Sequence, residues 1–195
     1  MSNWTRQAMN DESWTSLYRP AKLAQVIGDV PSIKQVDDFV HSFKGNAEVS
    51  NPNLLLAGSN GVGKHLIVDL IIQRHGFEKI CFQPSQIEYK KTARATKTNN
   101  KMLQLYYNNV RAVRVDDPLT GKRKRTVLVV NNASTLAAGK NKDCLLNLLE
   151  LNNKLCKIPI IVIMGIKHNK LYTKLEKLAK YSVPGVRVKR LAKVI

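Results

Sequence analysis

The chain has 195 residues, 44% hydrophobic and 24% charged, which suits one compact soluble domain with a full core. Thirty-two Lys and Arg face 14 Asp and Glu, and the formal net charge of +18 points to a polyanionic partner, nucleic acid first. These charges are spread through segments expected to fold, which excludes a simple basic tail. The longest apolar run, Ile158 to Ile166, is far too short to span a bilayer, so no membrane partner is expected.

Residues Met1 to Ser13 are polar and carry no signal-peptide pattern; they are expected to be flexible, with the domain running from Trp14 to Ile195. Pro31 opens a helix whose apolar positions Ile33, Val36, Val40 and Phe43 share one face, and Lys44-Gly-Asn46 ends it. Leu54 to Ala57 reads as a buried strand. It leads into Gly58-Ser59-Asn60-Gly61-Val62-Gly63-Lys64, the spacing of a phosphate-binding loop, in which backbone N–H groups converge on phosphate oxygens and the lysine adds a charge. Lys64 to His75 follows as a helix, with Leu66, Ile67, Leu70 and Ile71 at helical spacing and Gly76 as its C-terminal cap. One residue departs from the motif: His65 stands where a serine or threonine hydroxyl would hold magnesium. Imidazole nitrogen is a poor substitute ligand for that hard cation. The loop is therefore compatible with bound ATP or ADP, because a helix N-terminus attracts anions on its own, while magnesium is not expected to be coordinated in the usual way. A glycine turn without a ligand is the plain alternative.

Further on, Lys79 to Phe82 reads as a second strand. The stretch after it carries Lys90, Lys91, Arg94, Lys97 and Lys101, either a solvated surface or a DNA contact. Asp116 to Gly121 is a turn by composition, and the basic tetrad Lys122 to Arg125 reads first as a gatekeeper before the hydrophobic strand Thr126 to Val130. A nuclear-import signal or a phosphate contact are the other readings of that tetrad. A helix with Leu145, Leu146 and Leu149 comes next, and then the strand Ile158 to Met164, apolar throughout and mostly β-branched, as a strand covered on both faces requires. The helix 169–180 puts Leu171, Leu175 and Leu178 on one side and Lys170, Lys174 and Lys177 on another. From Leu151 onward eleven Lys and Arg face Glu176 alone, a like-charged stripe that a bound polyanion would relieve. The candidate DNA contacts are accordingly Lys90, Lys91, Arg94, Lys170, Lys174 and Lys177. Without a base-reading motif, binding is expected through backbone and shape. Cys81, Cys144 and Cys156 lack metal-ligand spacing and read as reduced core thiols of an intracellular protein. Alternating strands and helices imply a mostly parallel α/β sheet with its ligand at the strands' C-terminal edge.

Trp14-Thr-Ser-Leu-Tyr18-Arg19-Pro20, with Leu23 and Val26-Ile27-Gly28, resembles the N-terminal box of the clamp-loader ATPases. The segments Lys157 to Met164 and Lys174 to Tyr181 are similar to the sensor-1 strand and following helix of the replication factor C large-subunit branch. The resemblance runs from Trp14 to about Arg190. It implies an AAA+ P-loop NTPase core, a five-stranded mostly parallel sheet between helices; the helical lid that closes over the nucleotide in that family is expected to be absent before Ile195, a departure from its pattern. It also implies that Tyr18, Arg19, Pro20, Ile27 and Gly28 border an adenine pocket. The partners it implies are primer-template or duplex DNA, other clamp-loader-type subunits and a sliding clamp, at the nucleus or the site of DNA replication.

The departures from that pattern fall on the chemistry. The strand ending at Val130 should lead into an acidic Walker B pair, one residue organising magnesium and the next activating water, and it leads into Asn131-Asn132. An amide has the shape of a carboxylate but neither its charge nor its basicity, and loss of the base alone costs about 10² to 10⁴ in rate. The polar sensor-1 position aligns with Gly165, and no serine-arginine-cysteine finger follows. No catalytic residue and no metal ligand is therefore assigned, and the chain reads as a hydrolysis-deficient structural subunit of DNA replication or repair. An active DNA-dependent ATPase with a base supplied from elsewhere, and a basic DNA-packaging or virion protein on a vestigial fold, are the alternatives.

Overall fold

The computed structural model describes residues 17–44, 52–83, 107–108, 115–116, 123–137, 141–155, 158–165, 170–178 and 181–184. The N-terminal stretch 1–13 lies outside them. In chain order the strands are β1 (Asn53–Ala57), β2 (Glu78–Phe82), β3 (Val115–Asp116), β4 (Arg123–Lys124), β5 (Thr126–Val130), β6 (Ile160–Met164) and β7 (Tyr181–Pro184). The helices are α1 (Val30–Ser42), α2 (Lys64–His75), α3 (Asn141–Leu155) and α4 (Lys170–Leu178). Strands β3 and β4 make a small antiparallel ribbon, and the other strands form one five-stranded sheet in the order β2-β5-β6-β1-β7. Every pairing within that sheet is parallel.

The expected α/β architecture with five strands is present, and four of those strands lie where residue pattern alone puts them. The exception is β7. Tyr181-Ser-Val-Pro184 is short and ends in proline, and its neighbours continue the basic helical pattern; the helix expected over 169–180 stops at Leu178 instead. Part of the basic tetrad is also strand, with Arg123 and Lys124 forming β4.

Strands β1, β5 and β6 are buried along their whole length, as parallel strands covered on both faces must be. The period of two assigns their side chains to opposite layers. Leu55, Leu128, Ile160 and Val162 join Leu145 and Leu149 of α3 and Leu171 and Leu175 of α4. Leu54, Leu56, Val129 and Ile161 pack with Val36 and Val40 of α1 and Ile67 and Ile71 of α2. Phe39, absent from the apolar face read off the sequence, is buried here too and meets Phe43 edge-on, ring centroids 5.3 Å apart. Among the described residues no helix is long and apolar enough to cross a membrane.

A buried polar network closes the end of the sheet opposite the glycine loop. Asn152, on α3 and fully buried, donates through Nδ2 to Asn53 Oδ1 and to the Ile158 carbonyl, both at 2.9 Å, and accepts from the Tyr107 hydroxyl at 3.1 Å. Asn53 donates in turn to the Leu149 carbonyl at 3.1 Å, so the start of β1 is tied to α3. Removing one member strands the others without water, which costs more than the bonds themselves. Asn152→Ala should therefore lower unfolding stability by on the order of 3 kcal/mol, against about 1 kcal/mol for Tyr107→Phe. Urea unfolding with an unchanged denaturant slope is the check, and equal small losses for both would show that the network is not a unit.

Candidate functional site

The site begins where β1 ends. The Gly58 N–H donates to the Met164 carbonyl at 3.3 Å, which fixes the start of the loop to the end of β6. Gly61 and Gly63 then take φ of 78° and 83°, in the left-handed region. Nothing lies within 4 Å of a Cβ built at either position, so backbone conformation rather than space requires glycine there. The turn delivers the chain into α2 with its first N–H groups lacking intrahelical partners, the condition for anion capture at a helix start.

Lys64 is folded back onto this loop. The residue is 5% exposed, and its Nζ donates to the carbonyls of Gly58 at 3.0 Å and Ser59 at 2.6 Å. Burial holds its ammonium below the ordinary lysine range. A phosphate entering the loop would exchange these neutral acceptors for charged ones. The space it would enter is a cleft of about 430 Å³, bounded on the loop side by Asn60, Gly61, Gly63, Lys64 and His65. Arg19, Asn132, Met164 and Gly165 are among the residues that complete its lining.

Of the residues expected around an adenine, Arg19 alone lines this cleft, and its guanidinium lies 3.6 Å from the Asp69 carboxylate. Tyr18 and Ile27 are largely exposed, and Pro20 and Gly28 are not brought to the cleft. Within the loop, Val62 turns toward the core layer of α1 and α2. The amide pair sits at the end of β5. Asn131 donates its backbone N–H to the Phe82 carbonyl at 3.0 Å and its Nδ2 to Cys81 Sγ at 2.8 Å, and its Oδ1 is buried with no hydrogen-bond partner. Asn132 takes a φ of 47°, which asparagine tolerates better than most residues, and faces the cleft.

His65 lies at the cleft surface, second in α2. Its pKa is lowered, by partial burial first and then by the Lys64 charge; Lys79 acts the same way, while Asp69 and the Asn131 side chain oppose. Asp69 is itself engaged by Lys79 Nζ at 2.6 Å. Among the described residues no three His, Cys, Asp or Glu side chains gather as a metal site.

Gly165 has a neighbour that sequence reading missed. Its N–H donates to Ser134 Oγ at 2.9 Å, and a Cβ there would stand 2.7 Å from Asn60 Oδ1. The loop asparagine thus fills the space that a side chain at position 165 would take. Neither Asn60 nor Ser134 carries a sequence signal for this contact, because it joins residues brought together only by the sheet order. The Cys81–Asn131 bond is hidden in the same way.

For the candidate DNA contacts, Lys174 and Lys177 are exposed on α4, opposite the buried Leu171 and Leu175. Lys170 opens that helix. Lys90, Lys91 and Arg94 lie outside the described residues.

A strand, a glycine loop and a helix at the C-terminal edge of this parallel α/β sheet define a P-loop core of the AAA+ type. No protein-family model matches the chain. It is 34% identical over 179 residues to a protein of Acanthamoeba polyphaga mimivirus named replication factor C large subunit, an alignment covering 88% of this chain and 34% of that protein. Replication factor C subunit 1 of Arabidopsis thaliana is 25% identical over 190 residues, covering 88% of this chain and 19% of its own length. The replication factor C large subunit of Thermococcus kodakarensis is 33% identical over 72 residues, 37% of this chain and 14% of that protein. The chain is related to the clamp loaders and, within them, to the replication factor C large subunit. It spans about a third or less of the length of these relatives.

The direction of the His65 shift gives a pH test. Its folded value lies below the ordinary value of about 6.5, so the unfolded chain binds the proton more readily. The His65 contribution to stability is then complete above about pH 6.5 and is lost as pH falls through the lowered folded value. His65→Gln should lose less stability than the unsubstituted chain between about pH 7 and pH 5, measured by denaturant midpoints at each pH. Parallel curves for the two would remove the assignment.

Proposed function

We propose that the chain is a hydrolysis-deficient, clamp-loader-like AAA+ module that binds DNA, holds a nucleotide for structure and acts as a structural subunit in DNA replication or repair. The observation that carries this reading is Asn131 at the end of β5. Its amide is committed to Cys81 and offers no negative charge to a metal and no base to a water. His65, which lines the cleft beside the Asn131 side chain, removes the hydroxyl as well, so two changes bear on one step. The relatives named replication factor C support the replication context. In that context the partners are other clamp-loader-type subunits, a sliding clamp and primer-template DNA, at the nucleus or wherever replication takes place.

The loop keeps what nucleotide binding needs. Lys64 remains, the two glycines hold the left-handed turn, and Arg19 supplies a second cation at the rim. ATP or ADP is the proposed occupant, with Gly58 to His65 as its phosphate cradle and Tyr18, Arg19, Pro20, Ile27 and Gly28 as the base side. For DNA, Lys170, Lys174 and Lys177 are the proposed phosphate contacts of α4, with Lys90, Lys91 and Arg94 as a second group.

Steady-state ATPase assays with DNA and a sliding clamp present should give no turnover above background, and Lys64→Ala should leave that unchanged while weakening nucleotide binding. Robust turnover that disappears with Lys64→Ala would overturn the reading in favour of a working ATPase. On the DNA side, replacing Lys170, Lys174 and Lys177 together by Ala should reduce the log-log salt slope of binding by roughly 0.9 for each lost phosphate contact, nearly three in all. An unchanged slope would move the DNA surface elsewhere.

A further inference from the structure

The cleft that the preceding reading assigns to a nucleotide has an unusual charge balance. Its lining includes the cations Lys64 and Arg19 and the imidazole of His65, and none of the lining residues is acidic. The carboxylate nearest His65 along α2 is Asp69, one turn further on, and it is already held by Lys79 at 2.6 Å and Arg19 at 3.6 Å. A divalent cation arriving with a nucleotide would find cationic side chains and a neutral amide around it. A bare polyphosphate would find complementary charge.

We propose that this cleft takes its nucleotide as the metal-free polyphosphate, with a proton taken up by His65 in place of the divalent cation. The inference rests on the nucleotide reading and adds the ionic form of the ligand.

The surroundings of His65 favour this exchange. From its own helix it meets Lys64 and Asp69; from β2 it faces Lys79; from the end of β5 it faces Asn131, whose amide donates to Cys81; and Arg19 stands at the same cleft. Partial burial and the Lys64 charge lower the proton affinity of the ring, against the weaker pull of Asp69 and Asn131. Polyphosphate bound at Lys64 places negative charge beside the ring and reverses that preference. Lys64 leaves its carbonyl partners for phosphate oxygens, and the same anion then favours the imidazolium. Asn131, with a buried Oδ1, already favours the charged ring from the end of β5 and can accept a hydrogen bond from it. Proton and nucleotide thus bind together, and each tightens the other.

Calorimetric titration of the chain with ATP, once with a chelator and once with excess magnesium, tests this directly. The expected result has four parts. Binding is tighter with the chelator than with magnesium. Affinity rises as pH falls from about 7.5 to 5.5, by no more than about tenfold per pH unit for one proton. Heats in buffers of different ionisation enthalpy report proton uptake beyond the part that ATP contributes itself. His65→Gln abolishes that extra uptake, and His65→Arg binds at pH 7.5 as tightly as the unsubstituted chain binds at low pH, within about threefold.

Equal proton uptake in the unsubstituted chain and His65→Gln, or tighter binding with magnesium, overturns the proton-for-metal inference while leaving the nucleotide reading in place. Absence of ATP binding at every pH, or binding unaffected by Lys64→Ala, overturns the nucleotide reading itself.

Discussion

The site depends on the position of β6. That strand is inserted between β1, which carries the glycine loop, and β5, which carries the amide pair, so both loops meet over its C-terminal end. The Met164 carbonyl receives the Gly58 N–H, and the next residue, Gly165, donates to Ser134 and abuts Asn60. A single strand end therefore sets the distance between the phosphate loop and the residues that would act on a phosphate. The sheet can hold it there because β1, β5 and β6 are packed on both faces and have no slack to shift register.

Against that rigid frame, the changes in the site all have one sign. Asparagine replaces acid after β5, and imidazole replaces hydroxyl at the start of α2, while Lys64 and Arg19 remain. Both of these changes remove negative charge or an oxygen ligand, and the two cations of the cleft stay. Lys64 and Arg19 therefore face a cleft with no acidic residue in its lining, a balance complementary to an anion.

Much of this was legible in the sequence, and the reasons differ by element. Helix α2 could be bounded to the residue because a glycine turn starts it and Gly76 stops it, both local signals. Strands β1, β5 and β6 were legible from continuous apolar runs. Strand β7 was not, since its four residues end in proline and acquire strand character only by pairing with β1. Asn152 was equally silent: nothing near it in sequence shows that its partners are Asn53, Tyr107 and the Ile158 carbonyl. In the site, the glycines, Lys64, His65 and the amide pair were visible as departures from or matches to a motif. Cys81, Asn60 and Ser134 were invisible because their roles are contacts between loops of different strands.

Those loop contacts also determine what a substituted side chain at positions 131 and 165 would meet. A carboxylate restored at position 131 would replace an amide that donates to Cys81, and burial already keeps that thiol protonated. The new charge would lie close to His65 and favour its imidazolium, which would pair with the carboxylate and withdraw it from a metal. A side chain at position 165 would meet the Asn60 amide, which would have to swing away to admit it. A change at position 131 would thus meet Cys81 and His65, and one at position 165 would meet Asn60, so each is opposed by a residue fitted to the present arrangement.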